Sequence, residues 1–114
     1  MRRVEFAAPA AFDIDDILAN SEAEFGPRTA SRYERLIDQA IDALAADPER
    51  SGVRQTPDTL VGLYWFHLRS ARTLAPPSER IGKPRHLIVF TVTGASIFIV
   101  RVLHDSMDIP AHVG

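Results

Sequence analysis

Cysteine is absent from this 114-residue sequence. Its absence excludes disulfides, iron–sulfur clusters, thiolate metal sites and cysteine nucleophiles. Long apolar runs are also missing, because the longest, near residues 87–90 and 97–103, are far shorter than the ~20 residues needed to cross a bilayer. No signal-peptide pattern is visible at the start of the sequence. We therefore expect a cytoplasmic protein with no membrane association.

Lysine is scarce, and neither sign of charge dominates. The sequence contains one lysine, Lys83, and twelve arginines, and its formal net charge is −2. Residues 1–57 carry seven basic and eleven acidic residues, or −4, whereas residues 58–114 carry six basic and four acidic residues, or +2. Proteins that bind nucleic acid mainly through its phosphates are usually strongly basic. The balance therefore argues against direct DNA binding by this chain.

The familiar catalytic and phosphate-binding motifs are absent as well. There is no Gly-x-Ser-x-Gly elbow, no Walker loop and no Gly-x-Gly-x-x-Gly. His104, Asp108 and His112 have i, i+4, i+8 spacing, but Pro110 argues against a continuous helix that would put them on one face. We expect no metal site and no cofactor.

The hydrophobic pattern is that of one folded domain over residues 1–114, because 46% of the residues are hydrophobic and two separate cores would be too small. Residues 2–7 alternate as a short strand. A first helix follows Pro9, with its apolar stripe at Phe12, Ile14, Ile17, Leu18 and Phe25. Gly26-Pro27 separates it from a second helix, whose apolar residues recur at intervals of three and four; they are Tyr33, Ile37, Ala40, Ile41 and Leu44.

Three strands are predicted in the second half, after a turn-rich connector over residues 48–59. They are Leu60–Arg69, His86–Val92 and Ile97–Leu103, and a turn over Thr93–Ser96 joins the last two as a hairpin. The final strand is apolar on both faces, which favours an interior position in the sheet. The prediction is an α+β fold of order β-α-α-β-β-β, with a helical hairpin on one face of a small, mostly antiparallel sheet.

Two basic features stand out in this half. By strand alternation, Arg101 shares a face with Ile97, Ile99 and Leu103, so it must form a structural salt bridge or point into a functional groove. The second feature is the long loop over residues 70–85, which is either mobile or functional. Its cations form either a solvated loop or a positive rim; they are Arg69, Arg72, Arg80, Lys83 and Arg85.

Several segments together resemble the RelE/ParE superfamily of bacterial type II toxins, and its ParE branch in particular. The second helix is similar through Phe25-Gly26, Ala30, Tyr33, Leu36, Ala40, Leu44 and Pro48. The strand HLIVFTV resembles the penultimate strand of the family, and IFIVRVLHDSMD, Ile97 to Asp108, resembles its last strand and tail. The loop over residues 70–85 is longer and richer in proline than the family pattern.

The resemblance implies a non-enzymatic toxin that poisons DNA gyrase and contributes to plasmid stabilisation. It also implies a hetero-oligomer with a ParD-like antitoxin, which binds operator DNA through a ribbon-helix-helix part and wraps the toxin with an amphipathic C-terminal segment. Two alternatives stay open: a RelE-like, ribosome-dependent mRNA endoribonuclease, and a non-toxic relative that still binds its antitoxin. The net charge of −2 favours the gyrase inhibitor over the ribonuclease.

The candidate site residues follow from these readings. The expected target-binding residues are Arg69, Arg72, Arg101, His104, Asp105, Met107 and Asp108. A ribonuclease would instead use Arg69, Arg85, Arg101 and His104 as catalytic residues, with His86 as a further proton carrier. An exposed sheet edge beside an apolar groove invites an added strand and a docked helix, and the expected antitoxin-binding residues are Tyr33, Ile37, Trp65, Leu87 and Val89.

Overall fold

The computed structural model describes residues 1–56 and 61–113. Two long helices lie between the first two strands in sequence, and a short helix follows the last strand. The strands are β1 (Arg3–Phe6), β2 (Val53–Gln55), β3 (Tyr64–His67), β4 (His86–Thr93) and β5 (Ser96–His104), and the helices are α1 (Ala8–Phe25), α2 (Pro27–Ala46) and α3 (Ile109–Val113).

The strands form one sheet in the order β1-β5-β4-β3-β2. β1 runs parallel to β5, and the other neighbours are antiparallel. β5 is an interior strand, as its two apolar faces predict. The α+β class and the mostly antiparallel sheet under a helical hairpin are confirmed.

The helical hairpin turns at Gly26. Its φ of +93° lies in the region that glycine adopts without steric cost, and Pro27 then starts α2. The apolar stripe of α2 is buried as predicted, at Ala30, Tyr33, Leu36, Ile37, Ala40, Ile41, Leu44 and Ala45. The acidic side of the helix, including Glu34, Asp38 and Asp42, faces solvent.

The predicted stripe of α1 is wrong at two positions. Ile14, Ile17 and Leu18 pack against the core, but Phe12 is 69% exposed and Phe25 is 63% exposed. Phe12 comes two residues after the buried Ala10, which places it on the opposite side of a helix with 3.6 residues per turn. Phe25 ends the helix and lines a surface groove instead of the core.

The prediction for the middle of the chain needs two corrections. The strand predicted over Leu60–Arg69 is only Tyr64–His67, and Leu60 lies outside the described residues, as does Pro57 of the predicted connector. The strand ends early because the His67 side chain accepts a hydrogen bond from the Arg69 backbone and starts a 3₁₀ turn. The three-residue strand β2 was not predicted. It lies within the predicted connector and pairs with β3.

A β-bulge interrupts the pairing of β4 with β5. Val89 pairs with Arg101 and Phe90 with Ile99, which leaves Val100 without a partner on β4. The predicted alternation of faces is therefore wrong beyond Ile99. Ile97, Ile99 and Val102 pack in the core under the helices, whereas Leu103 packs on the other face of the sheet.

The sheet has a hydrophobic cluster on each face. The larger lies between the sheet and the helices α1 and α2. The smaller is built from Leu87, Val89 and Leu103, and α3 packs against it through Ile109 and Val113. None of the helices within the described residues is long and apolar enough to cross a membrane.

Hydrogen bonds from arginine side chains to backbone carbonyls stabilise the loop over residues 70–85. Arg72 Nε donates to the carbonyl of Ile81 at 2.7 Å, and Arg80 Nε donates to the carbonyl of Ala75 at 2.9 Å. Arg35 of α2 forms a 2.9 Å ion pair with Glu79. Two of the five cations in the predicted positive rim thus stabilise the loop itself.

Candidate functional site

A groove of about 980 Å³ lies where β5 leaves the sheet. One wall is α1, and the opposite wall is the end of the long loop, from Arg80 to Arg85. Tyr33, His86 and residues 101–104 form the floor between these walls. β1 covers residues 96–99 of β5, and residues 101–104 of that strand line the groove.

Arg101 is held at the floor of the groove by a carboxylate from α1. Its Nε and Nη2 donate to the two oxygens of Asp13 at 2.6 and 2.8 Å, and the side chains are only 24% and 15% exposed. Hydrogen bonding to Asp13 raises the pKa of Arg101 above its usual value. Asp13 also accepts from the Val102 backbone at 3.0 Å. The structural salt bridge predicted as one alternative for Arg101 is therefore present.

Tyr33 and His86 form an uncharged pair beside this bridge. The Tyr33 hydroxyl accepts from the Arg85 backbone at 3.1 Å and lies 2.7 Å from His86 Nδ1. Burial raises the pKa of Tyr33, and burial reinforced by the neighbouring His104 lowers the pKa of His86 to about 4. At neutral pH Tyr33 therefore donates to Nδ1, and the imidazole carries its proton on Nε2.

Asp105 joins three parts of the chain immediately after β5. It lies 3.1 Å from Nε2 of the buried His67 and 3.3 Å from Nε and Nη2 of Arg85. The hydrogen bond from His67, with smaller effects from Arg85 and His104, lowers the pKa of Asp105. Because His67 Nδ1 accepts from the Arg69 backbone, its proton is on Nε2, where it points at Asp105. This carboxylate thus holds both flanks of the long loop.

The tail begins with a turn that His104 stabilises. His104 Nδ1 accepts from the Ser106 backbone at 3.1 Å and lies 2.7 Å from Ser106 Oγ. Further along, His112 Nδ1 is bonded to the backbone carbonyl of Asp108 at 2.9 Å. Within residues 1–56 and 61–113, no group of three histidine or acidic residues is placed to hold a metal ion.

The structure brings together only part of the predicted target-binding set. Arg101, His104 and Met107 line the groove, and Met107 is 44% exposed. The other members, Arg69, Arg72, Asp105 and Asp108, are not among the lining residues. Arg72 is directed to the carbonyl of Ile81, so its predicted place in a contact surface with Arg101 has no support from the geometry. Target binding by any of these residues stays a prediction.

The predicted antitoxin-binding residues fall on different sides of the sheet. Tyr33 and Ile37 are 8% and 1% exposed in the core under the helices, because they lie on the inward stripe of α2. Leu87 and Val89 are buried on the other face, where Trp65 packs over them. In this conformation a partner reaches Trp65 more readily than Ile37 or Val89, and the binding role of all five stays a prediction.

The sequence-based prediction missed one wall of the groove. Asp13, Asp16 and Glu24 of α1 all line it, but they were not among the candidate residues. Asp13 lies 88 residues from its partner Arg101, and no local pattern connects them. A helical wheel of α1 could have placed the three acids near one another, but not the strand edge that faces them.

Sequence and structure comparisons place these features in one family. Residues 4–109 match the model of the ParE toxin of the type II toxin–antitoxin system parDE. Toxin ParE1 of Caulobacter vibrioides is 29% identical over 114 residues and covers 100% of both chains.

Solved structures share the fold of this chain. The chromosomal ParDE toxin–antitoxin system from P. aeruginosa aligns with a TM-score of 0.66 at 18% identity, covering 91% of this chain and 96% of that one. A copper-bound mutant toxin from Helicobacter pylori aligns with a TM-score of 0.62 at 15% identity, covering 93% of this chain and 97% of that one. Because the family model spans nearly the whole sequence, the chain belongs to the ParE toxin family of type II toxin–antitoxin systems, within the RelE/ParE superfamily.

Proposed function

We propose that this toxin inhibits DNA gyrase by binding, without catalytic turnover, and that a ParD-like antitoxin holds it inactive. The antitoxin would carry a ribbon-helix-helix part for operator DNA and form a hetero-oligomer with the toxin. Toxin and target would meet in the cytoplasm.

The observation that carries the non-enzymatic proposal is that the chain itself neutralises Arg101 and Arg85, two of the four arginines that line the groove. Asp13 binds Arg101 through both carboxylate oxygens, and Asp105 binds Arg85. An RNA phosphate would have to displace Asp13 to bind Nε and Nη2 of Arg101, and it would compete with Asp105 for Arg85. Together with the net charge of −2, this arrangement fits a protein surface better than a ribosome-bound RNA.

His86 and His67 support the same proposal. A general acid or base works best when its pKa lies near the working pH. The pKa of His86 is about 4, and its Nδ1 is occupied by the Tyr33 hydroxyl. His67 is 3% exposed and is bonded at both ring nitrogens. These two imidazoles act as parts of the framework instead of proton carriers.

Two assays run side by side test the proposal. The purified toxin is added to a DNA cleavage assay with gyrase, and separately to programmed ribosomes with an mRNA reporter. We expect accumulation of gyrase-cleaved DNA and intact mRNA. Cleaved mRNA with unaffected gyrase would mean a ribonuclease, and no effect in either assay would mean a non-toxic relative.

A matched pair of variants then ties the effect to the groove. Met107→Ala removes an apolar side chain that is 44% exposed at the groove, and Leu74→Ala removes one that is 45% exposed outside it. We expect the first variant to weaken gyrase poisoning about tenfold, since well-placed apolar contacts at an interface contribute about 1–2 kcal/mol. The second should leave poisoning unchanged.

A further inference from the structure

The two walls of the groove carry opposite charge. On α1, Asp16, Asn20 and Glu24 have i, i+4, i+8 spacing, so they form an exposed row along one face of the helix. On the opposite wall lie Lys83, which is exposed to solvent, and Arg85, whose side chain is 59% exposed and is paired with Asp105 at 3.3 Å. Arg32 of α2 lines the groove as a further cation. Within the described parts of the chain, no ion pair involves Asp16, Glu24 or Lys83.

We infer that this groove takes an antitoxin segment with cationic residues along α1 and acidic residues along the end of the loop. The inference rests on the proposed function, because it names the contact through which the antitoxin holds the toxin. Charge complementarity across both walls fixes which edge of the segment faces which wall. A nucleic-acid strand does not fit, since its phosphates would face Asp16 and Glu24.

The length of the acidic row sets the spacing expected in the partner. Asp16 and Glu24 are eight residues apart, which corresponds to about 12 Å along the helix axis. A helical partner would therefore place its two cations about seven or eight residues apart, whereas an extended partner would place them about four residues apart. The antitoxin sequence can be inspected for either pattern before any experiment.

Exposed apolar groups lie in the same groove as the charges. Phe25, at the end of α1, is 63% exposed, and Met107, in the tail, is 44% exposed. Large apolar side chains at a groove contribute contact area that the charged rows alone do not provide. The matching segment is thus amphipathic, with apolar residues between a basic edge and an acidic edge.

The test is a charge reversal on α1 with a control on the same helix. Asp16→Lys/Glu24→Lys reverses the acidic wall, and Asp15→Lys/Glu22→Lys makes the same charge change at exposed positions outside the groove. Affinity for the full-length product of the small gene next to the toxin gene is measured by calorimetry at two salt concentrations. We expect the wall variant to bind about 30-fold more weakly and the control to change less than threefold.

The outcomes separate this inference from the proposed function. Equal effects of the two double variants would overturn the groove assignment while leaving an antitoxin-binding toxin in place. No binding by the unchanged toxin would overturn both. Lys83→Glu, on the opposite wall, should also weaken binding, and an antitoxin with its groove-facing cations changed to Glu should recover affinity for the wall variant. Circular dichroism of each variant confirms that these exposed substitutions leave the fold intact.

Discussion

The bridge between Asp13 and Arg101 yields the most quantitative prediction about this fold. Asp13→Ala removes three acceptor contacts, which are those to Arg101 Nε, Arg101 Nη2 and the Val102 backbone. It also leaves a guanidinium that is only 24% exposed without its counter-ion. We expect the variant to fold with a clearly lower free energy of unfolding.

The size of the loss follows from the burial of the pair. Breaking a fully buried ion pair by removing one partner costs about 3–5 kcal/mol, whereas an exposed pair contributes about 0.2–1 kcal/mol. With side chains 24% and 15% exposed, Asp13→Ala should cost about 2–4 kcal/mol. A domain of this size has about 5–15 kcal/mol of stability, so the urea midpoint should fall by about 1–2 M without complete unfolding.

A control and a double-mutant cycle make this prediction refutable. Asp16→Ala, one turn further along the same helix and exposed, should change stability by less than about 0.5 kcal/mol. The double variant Asp13→Ala/Arg101→Met should lose less than the sum of the single losses, by about 2 kcal/mol, because either substitution alone leaves a charged group unpaired. A loss below about 1 kcal/mol for Asp13→Ala, or additive single losses, would mean that the pair does not stabilise the fold as its burial implies.

Three further predictions concern pH, backbone and surface. Burial lowers the pKa of His86 to about 4, so between about pH 6.5 and pH 4 the unfolded chain binds a proton that the folded chain does not. Stability should therefore fall as the pH drops through that window, by about 1–2 kcal/mol after solvent screening, and urea titrations should show a flatter dependence for His86→Gln. Gly26→Ala and Gly52→Ala both place alanine at a positive φ, but only at Gly52 would the new Cβ lie 2.8 Å from Ser70 Oγ. Thermal melts should show a cost of about 1 kcal/mol at Gly26 and about 2–4 kcal/mol at Gly52. Phe12→Ser, on the exposed side of α1, should change stability by less than about 0.5 kcal/mol in urea titrations, and a larger loss would mean that the side chain is buried.

Elements buried on one side could be predicted from the sequence. The stripe of α2 is visible because its buried residues are apolar and most of its exposed residues are polar. The Gly26-Pro27 break is equally local. The hairpin of β4 and β5 can also be predicted from the sequence, because two apolar runs flank a short turn at Gly94. These features depend on neighbours in the chain.

Features that depend on distant pairing could not be predicted. β2 has only three residues and exists because β3 offers a partner. The bulge at Val100 follows from the register between two strands, and it reversed the predicted face of Leu103. An ion pair was one of two readings of Arg101, but its partner Asp13 was not identified, because nothing local links residues 88 positions apart.

Stoichiometry distinguishes a toxin that acts by binding from one that acts by turnover. A fixed amount of gyrase and DNA is titrated with toxin, and the cleaved DNA is quantified at the end point. We expect cleavage to rise until toxin and gyrase are in a fixed ratio near one and then to stay constant. Adding antitoxin should reverse it. A catalytic toxin would instead consume all of its substrate at a concentration far below that of the ribosomes or of gyrase. That result would contradict inhibition by binding alone.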